Sequence, residues 1–167
     1  KSILTDWPKY NNDEDWLKEQ YAKFEQEKKD AREAGKPEPL YFNQPAVLFN
    51  AMICPLMGYG MRGALWYQGE SDANPKAAPE FQAKFERLVA AIREDFGQPE
   101  LPFYYVQIGR HVAPNVPEWN TVQDMQLKAE RTIPNSGLVA AIDTSLDDGI
   151  HVGTQDLKLL GKRLANL

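Results

Sequence analysis

From Tyr41 onward, short apolar runs alternate with amphipathic stretches, and the apolar runs stop abruptly in polar residues. A chain with this rhythm folds into a parallel sheet covered by helices, because parallel strands need crossovers long enough to hold a helix. Three such units are readable. Gly63 to Tyr67 is the first strand, and Glu80 to Phe96 is its helix, with Phe81, Phe85, Leu88, Val89 and Ile92 at spacings of three and four. Leu101 to Ile108 is the second strand, followed by a helix over Glu118 to Arg131. Gly137 to Ile142 is the third strand. The last helix runs from Thr154 to Asn166, with Thr154 as its N-cap and Leu157, Leu160 and Leu164 on one face. Three strands are few for a doubly wound fold, whose sheets average about five or six. The expectation is therefore an α/β chain whose parallel sheet is incomplete on its N-terminal side, with one or two strands preceding Lys1.

Residues 1–40 read differently, as a charged and largely helical insertion or linker, and residues 41–167 as the domain proper. Trp7, Trp16, Tyr21 and Phe24 lie among dense charges, and Asn12 or Asp13 can cap a helix from Glu14 to Ala34. The charge-rich end at Glu25 to Glu33 reads as a solvated face. Ala46 to Met57 reads as a buried helix that Pro55 ends or kinks, with Cys54 as a buried small hydrophobe.

Composition narrows the function classes. A hydrophobic content of 43% in 167 residues suffices for a real core and one compact domain. The net charge of -5, with acids and bases intermixed, provides no basic stripe for a phosphate backbone, which argues against nucleic acid as a partner. No apolar run approaches the roughly 18 to 20 residues that cross a bilayer, so no membrane anchor is read. A single cysteine forms no internal disulfide and does not decide the compartment.

In open parallel sheets the ligand site lies beyond the carboxyl ends of the strands. The polar residues there are Gln68 to Asp72, Gln107 to Arg110 and Asp143 to His151. Asp148, three residues before His151 in a glycine-bearing loop, can orient the imidazole as a general base; the same spacing also suits a surface capping pair. Gln68 and Gly69 can supply donors and close backbone approach for an oxyanion, or the string can be a strand-to-helix turn with Ser71 or Asp72 as N-cap. Arg110 and His111 can touch substrate or stay solvated. Trp66, Tyr67 and Trp119 can stack on a sugar, or belong to the core.

The string Trp66 Tyr67 Gln68 Gly69 Glu70 Ser71 Asp72 resembles the sialate O-acetylesterase and acetylxylan esterase branch of the SGNH hydrolases. Further matches in order are Leu48 to Leu56, Leu101 to Gln107, Trp119 to Gln126, Ile142 with Asp143, Asp148 to His151, and Leu160 to Ala165; together they span about Gln44 to Leu167. The resemblance implies a three-layer α/β/α fold of flavodoxin-like type. It implies a serine hydrolase that removes acetyl groups from sugars such as sialic acid or xylan, with no metal and no organic cofactor. It casts His151 as catalytic base, Asp148 as its orienting acid, Gln68 and Gly69 as oxyanion and substrate-binding residues, and Glu70 as a brace for that loop. The nucleophile of that family sits in a Gly Gln Ser Asn type turn, and this sequence has none: Ser2, Ser71, Ser136 and Ser145 all lack that context. Val152 also stands where the family often has proline. The expected partners are thus an acetylated carbohydrate and an N-terminal segment of the same protein carrying the serine, with a secreted or periplasmic location and little turnover by these 167 residues alone. The alternative is a non-catalytic carbohydrate-binding or interaction domain on the same fold.

Overall fold

The computed structural model describes residues 14–39, 48–113 and 116–167. The chain divides into two compact units, Lys1–Met57 and Gly58–Leu167. In the first, helix α1 spans Glu14–Glu33. It stops because Gly35 adopts φ +63°, a left-handed conformation open to glycine. The Lys36 N–H then reaches the Ala31 carbonyl (2.8 Å) and the Gly35 N–H that of Arg32 (3.1 Å), the paired closure of a Schellman end. The expected caps Asn12 and Asp13, and the start of the domain at Tyr41, lie outside the described residues, as do Trp7 and the side chain of Trp16.

Residues 48–57 correct one expectation. Instead of a buried helix, a π-type turn over Phe49–Ile53 tightens into a 3-10 turn over Cys54–Leu56, and no residue of either is buried. Pro55 explains the irregularity: it has no N–H to donate, and its ring crowds the carbonyl one turn back. Cys54, expected in a core, is exposed. Residues 46 and 47 of the expected helix lie outside the described residues.

The second unit is the three strand-helix repeats. Strands β1 (Ala64–Tyr67), β2 (Phe103–Gln107) and β3 (Ser136–Ala140) form a parallel sheet in the order β1-β2-β3. The register aligns Trp66 with Tyr105 and Leu138, and Tyr67 with Val106 and Val139. One face therefore carries Phe103 and Tyr105, both buried against helices α2 (Phe81–Asp95) and α3 (Pro117–Thr132) through Phe81, Phe85, Val89, Trp119 and Val122. Phe85 meets the Tyr105 ring edge-on at 4.7 Å and the Phe103 ring at 5.8 Å. The opposite face packs Val106 and Val139 under helix α4 (Leu157–Ala165) through Leu160 and Leu164. The three-layer α/β/α arrangement is thus present. At the β1 margin the second face is open: Leu65 is 68% exposed and Tyr67 38%.

Buried Arg93 on α2 holds two strand entrances together. Its guanidinium donates to the carbonyls of Leu101 (2.9 Å) and Pro134 (2.7 Å), just before β2 and β3. Helix α4 starts later than expected, at Leu157, and Thr154 is not its cap. The Thr154 hydroxyl and N–H both go to the Asp147 carboxylate, at 2.6 and 2.8 Å. Asp156 stands at the cap position without a capping bond, its carboxylate being taken by Ser145.

Candidate active site

All three strands end on one side of the sheet, so the loops after β1, β2 and β3 meet there. The last of them is shaped by its own acids. Asp156 accepts from the Ser145 N–H and hydroxyl (both 2.7 Å), Asp147 accepts from Thr154, and the Asp147 N–H reaches the His151 carbonyl (3.1 Å). A single bridge between Leu146 and Val152 closes the loop, which carries Asp148 and His151 at its tip.

There the two residues meet directly. His151 Nδ1 lies 2.6 Å from Asp148 Oδ2, while Asp148 Oδ1 accepts the N–H groups of Ile150 and His151, each at 2.8 Å. Those hydrogen bonds, that from His151 foremost, hold the Asp148 carboxyl far below its usual range. The carboxylate is therefore ionised, Nδ1 carries the proton, and Nε2 is left as the basic nitrogen. The Asp148 hydrogen bond and charge push the imidazole pKa up, and the charge of Glu70 adds to the rise. Both partners face solvent.

The charge of Glu70, on the loop after β1, acts on His151. Burial, with the same charge added to it, pushes the Tyr67 phenol up to about 12, against an opposing pull from the Val152 backbone. The Trp66 to Asp72 string and the Asp148 to His151 loop, far apart in sequence, thus share one field.

Gly69 is a tight point of the site. It is buried with φ +156°, and a Cβ there would sit 2.9 Å from Ile108 Cγ2 and 3.0 Å from Gln126 Nε2. Gln126 is the residue that sequence reasoning left without a role. Almost fully buried, it donates to the Gln68 carbonyl (3.1 Å) and accepts the Ile108 N–H (2.9 Å), tying the end of β1 to the end of β2. Its signal was a glutamine on the same helical face as Trp119, Val122 and Ala129. The Gln68 amide donates to Asp72 Oδ2 (2.7 Å), which holds that side chain inside its own loop. Neither Ser71 nor Asp72 caps α2; Asn74 does the local capping instead, accepting the N–H groups of Lys76 and Ala77.

Of the aromatics, Trp119 is buried, Trp66 half-buried, and Tyr67 partly open to solvent. Arg110 is exposed, whereas His111 is half-buried with its ring edge-on to Trp119 at 4.9 Å. Among the described residues no serine hydroxyl is bonded to His151: Ser145 gives its hydroxyl to Asp156 and Ser136 to the Ile133 carbonyl.

Residues 38–167 match the family described as carbohydrate esterase, sialic acid-specific acetylesterase. The chain belongs to this family. Its curated relatives include the sialate O-acetylesterase of Rattus norvegicus, 33% identical over 112 residues that cover 59% of this chain and 20% of the relative. The Homo sapiens sialate O-acetylesterase is 30% identical over the same length, with 21% of it covered. This acetylesterase-family chain thus spans about a fifth of the length of those relatives. Among solved structures it resembles a carbohydrate acetylesterase from Xanthomonas citri, with a TM-score of 0.64 and 27% identity, covering 81% of this chain and 31% of that one. A protein from Arabidopsis thaliana has a TM-score of 0.57 and 29% identity, covering 65% of this chain and 44% of that one.

Proposed function

We propose that the polypeptide carrying this chain removes O-acetyl groups from carbohydrates, with His151 as general base and Asp148 as the acid that orients it. The observation that carries this reading is the 2.6 Å contact between His151 Nδ1 and an Asp148 carboxylate pinned by two backbone N–H groups. That arrangement fixes one tautomer and stabilises the imidazolium that forms during reaction. A serine supplied from outside this chain gives its hydroxyl proton to Nε2 as its oxygen attacks the acetyl carbon. The imidazolium then returns the proton to the departing sugar oxygen, leaving an acetyl-serine. Water, deprotonated by the same nitrogen, releases acetate and restores the serine. The Gly69 loop, with Gln68 beside it, borders the carbonyl oxygen as negative charge develops there; Glu70 braces that loop.

The test is acetyl release from p-nitrophenyl acetate and O-acetylated sugars by the intact gene product, its His151→Ala variant and these 167 residues alone. Turnover confined to the intact wild type supports the reading. An intact protein inert on every acetyl ester sinks it.

A further inference from the structure

Gln126 is almost fully buried, and both ends of its side-chain amide are in use. Nε2 donates to the Gln68 carbonyl (3.1 Å), and Oε1 accepts the Ile108 N–H (2.9 Å). Turning the amide over would set oxygen against oxygen and N–H against N–H, so its orientation is fixed. The helix that carries it is fixed as well. The Tyr105 hydroxyl donates to the Gln126 carbonyl (2.8 Å), Gln123 Nε2 to the Ile108 carbonyl (3.0 Å), and Trp119 Nε1 to the Gly109 carbonyl (2.8 Å). Residues 119, 123 and 126 thus anchor one face of α3 to the end of β2, and Gln126 carries the contact on to the end of β1.

That last bond orients a peptide group. A peptide unit is planar and trans, so the Gly69 N–H points opposite to the Gln68 carbonyl. With the carbonyl drawn toward Gln126, the N–H is turned away from α3, and it has no acceptor among the described residues. The catalytic loop crosses the same end of the sheet: His151 lies between Ile150, packed against the α2 and α3 core, and Val152, buried with Leu160 of α4. An unpaired N–H held rigidly at the strand ends is the donor that a developing oxyanion needs.

We propose that Gln126 is a positioning residue for acetyl transfer, which touches no substrate and, by holding the Gln68 carbonyl, aims the Gly69 N–H at the acetyl oxygen. This inference rests on the acetylesterase reading and adds to it a residue that acts through another. As the serine oxygen bonds to the acetyl carbon, the carbonyl π electrons move onto oxygen, the serine proton goes to His151 Nε2, and the Gly69 N–H donates to the new oxyanion.

The experiment compares the intact gene product with its Gln126→Met and Arg93→Met variants on p-nitrophenyl acetate and an O-acetylated sugar. Methionine keeps the volume and removes both bonds. Arg93→Met costs stability at the opposite ends of the strands and is the control for that effect. In Gln126→Met, kcat is expected to fall by about tenfold to a hundredfold with KM within about twofold, because the oxyanion exists only in the transition state. The acid limb of the pH profile stays in place, since Asp148 and Glu70 set it. Affinity for phenylboronic acid, whose serine adduct is tetrahedral and negatively charged, falls with kcat, and affinity for the deacetylated sugar does not. In the wild type, which needs no variant to fold, formation of that adduct shifts the Gly69 amide proton downfield. A wild-type kcat in Gln126→Met, a loss that Arg93→Met matches, or a Gly69 amide unmoved by the adduct overturns the proposal. The esterase reading survives each of these outcomes if the wild type hydrolyses p-nitrophenyl acetate and His151→Ala does not; an inert wild type overturns both.

Discussion

His151 is exposed, and its behaviour is set by the two carboxylates that act on it, Asp148 first and Glu70 second. Both raise its pKa above the ordinary imidazole value, and a general base works only when neutral. The acid limb of a kcat/KM profile is therefore expected above that ordinary value, with activity growing as pH rises through it. Asp148→Asn removes the larger cause, so the limb moves to lower pH while the rate falls by about 10² to 10⁴-fold, the usual contribution of acid-base catalysis. An unmoved limb in a pH-rate profile would detach His151 from the reaction. Gly69 offers a second test at this scale. Gly69→Ala forces a Cβ against Ile108 and Gln126 in a positive-φ backbone, and the expected loss is about 1 to 3 kcal/mol in urea unfolding, together with lowered kcat. The pairing of Asp148 with His151 was legible because it is local, three residues apart. Gln126 was not, because its two partners lie 58 and 18 residues away and only the folded sheet brings them together.

Helix α4 is attached to the sheet partly by charge. Arg163 donates to the Ala140 carbonyl and pairs through both guanidinium nitrogens with Asp143, at 2.7 and 2.6 Å. Chiefly through those hydrogen bonds the Asp143 carboxyl falls from 3.8 to about 2. A carboxyl depressed in the folded state adds stability that is complete above its unfolded value and disappears as pH falls through its folded value. Acid unfolding should therefore steepen between about pH 4 and 2, and Asp143→Asn should flatten that stretch of a stability-versus-pH curve by removing a contribution that is complete at pH 7, though small for a solvent-exposed pair. An unchanged curve would show the pair to be ornamental. Arg93 carries more, since it is buried: Arg93→Met strands the Leu101 and Pro134 carbonyls, with an expected loss of about 2 to 4 kcal/mol at unchanged urea m-value. The elements themselves were readable because strand and helix periods differ, and boundaries moved by only a few residues. Thr154 misled because its hydroxyl had a competing acceptor in Asp147, which spacing along the helix does not reveal. The segment around Cys54 misled for another reason: apolar composition signals a wish for cover, and the described residues do not bury it.

The sheet as a whole is lopsided. Parallel strands point alternate N–H groups to opposite neighbours, and the Ala64 N–H is given to the Pro102 carbonyl on the β2 side. By that alternation Trp66 also faces β2, while Leu65 and Tyr67 direct their N–H groups to the open margin. The side chains of those same two residues are the exposed ones. Among the described residues nothing pairs with the outer edge of this four-residue apolar strand or covers its second face, an invitation to aggregate that folded proteins avoid by covering such edges. We therefore expect a further strand beside β1 in the intact protein, as the count of three strands had suggested. Amide hydrogen exchange tests this residue by residue. In these 167 residues alone, the Leu65 and Tyr67 amides should exchange much faster than those of Tyr105 and Val106 on the central strand. In the intact gene product their protection should rise to the level of the central strand, because a hydrogen-bonded interior amide opens only with the sheet. Leu65 and Tyr67 amides that exchange equally fast in both forms would mean that β1 is a true edge, and that the serine proposed above does not enter on a strand beside it.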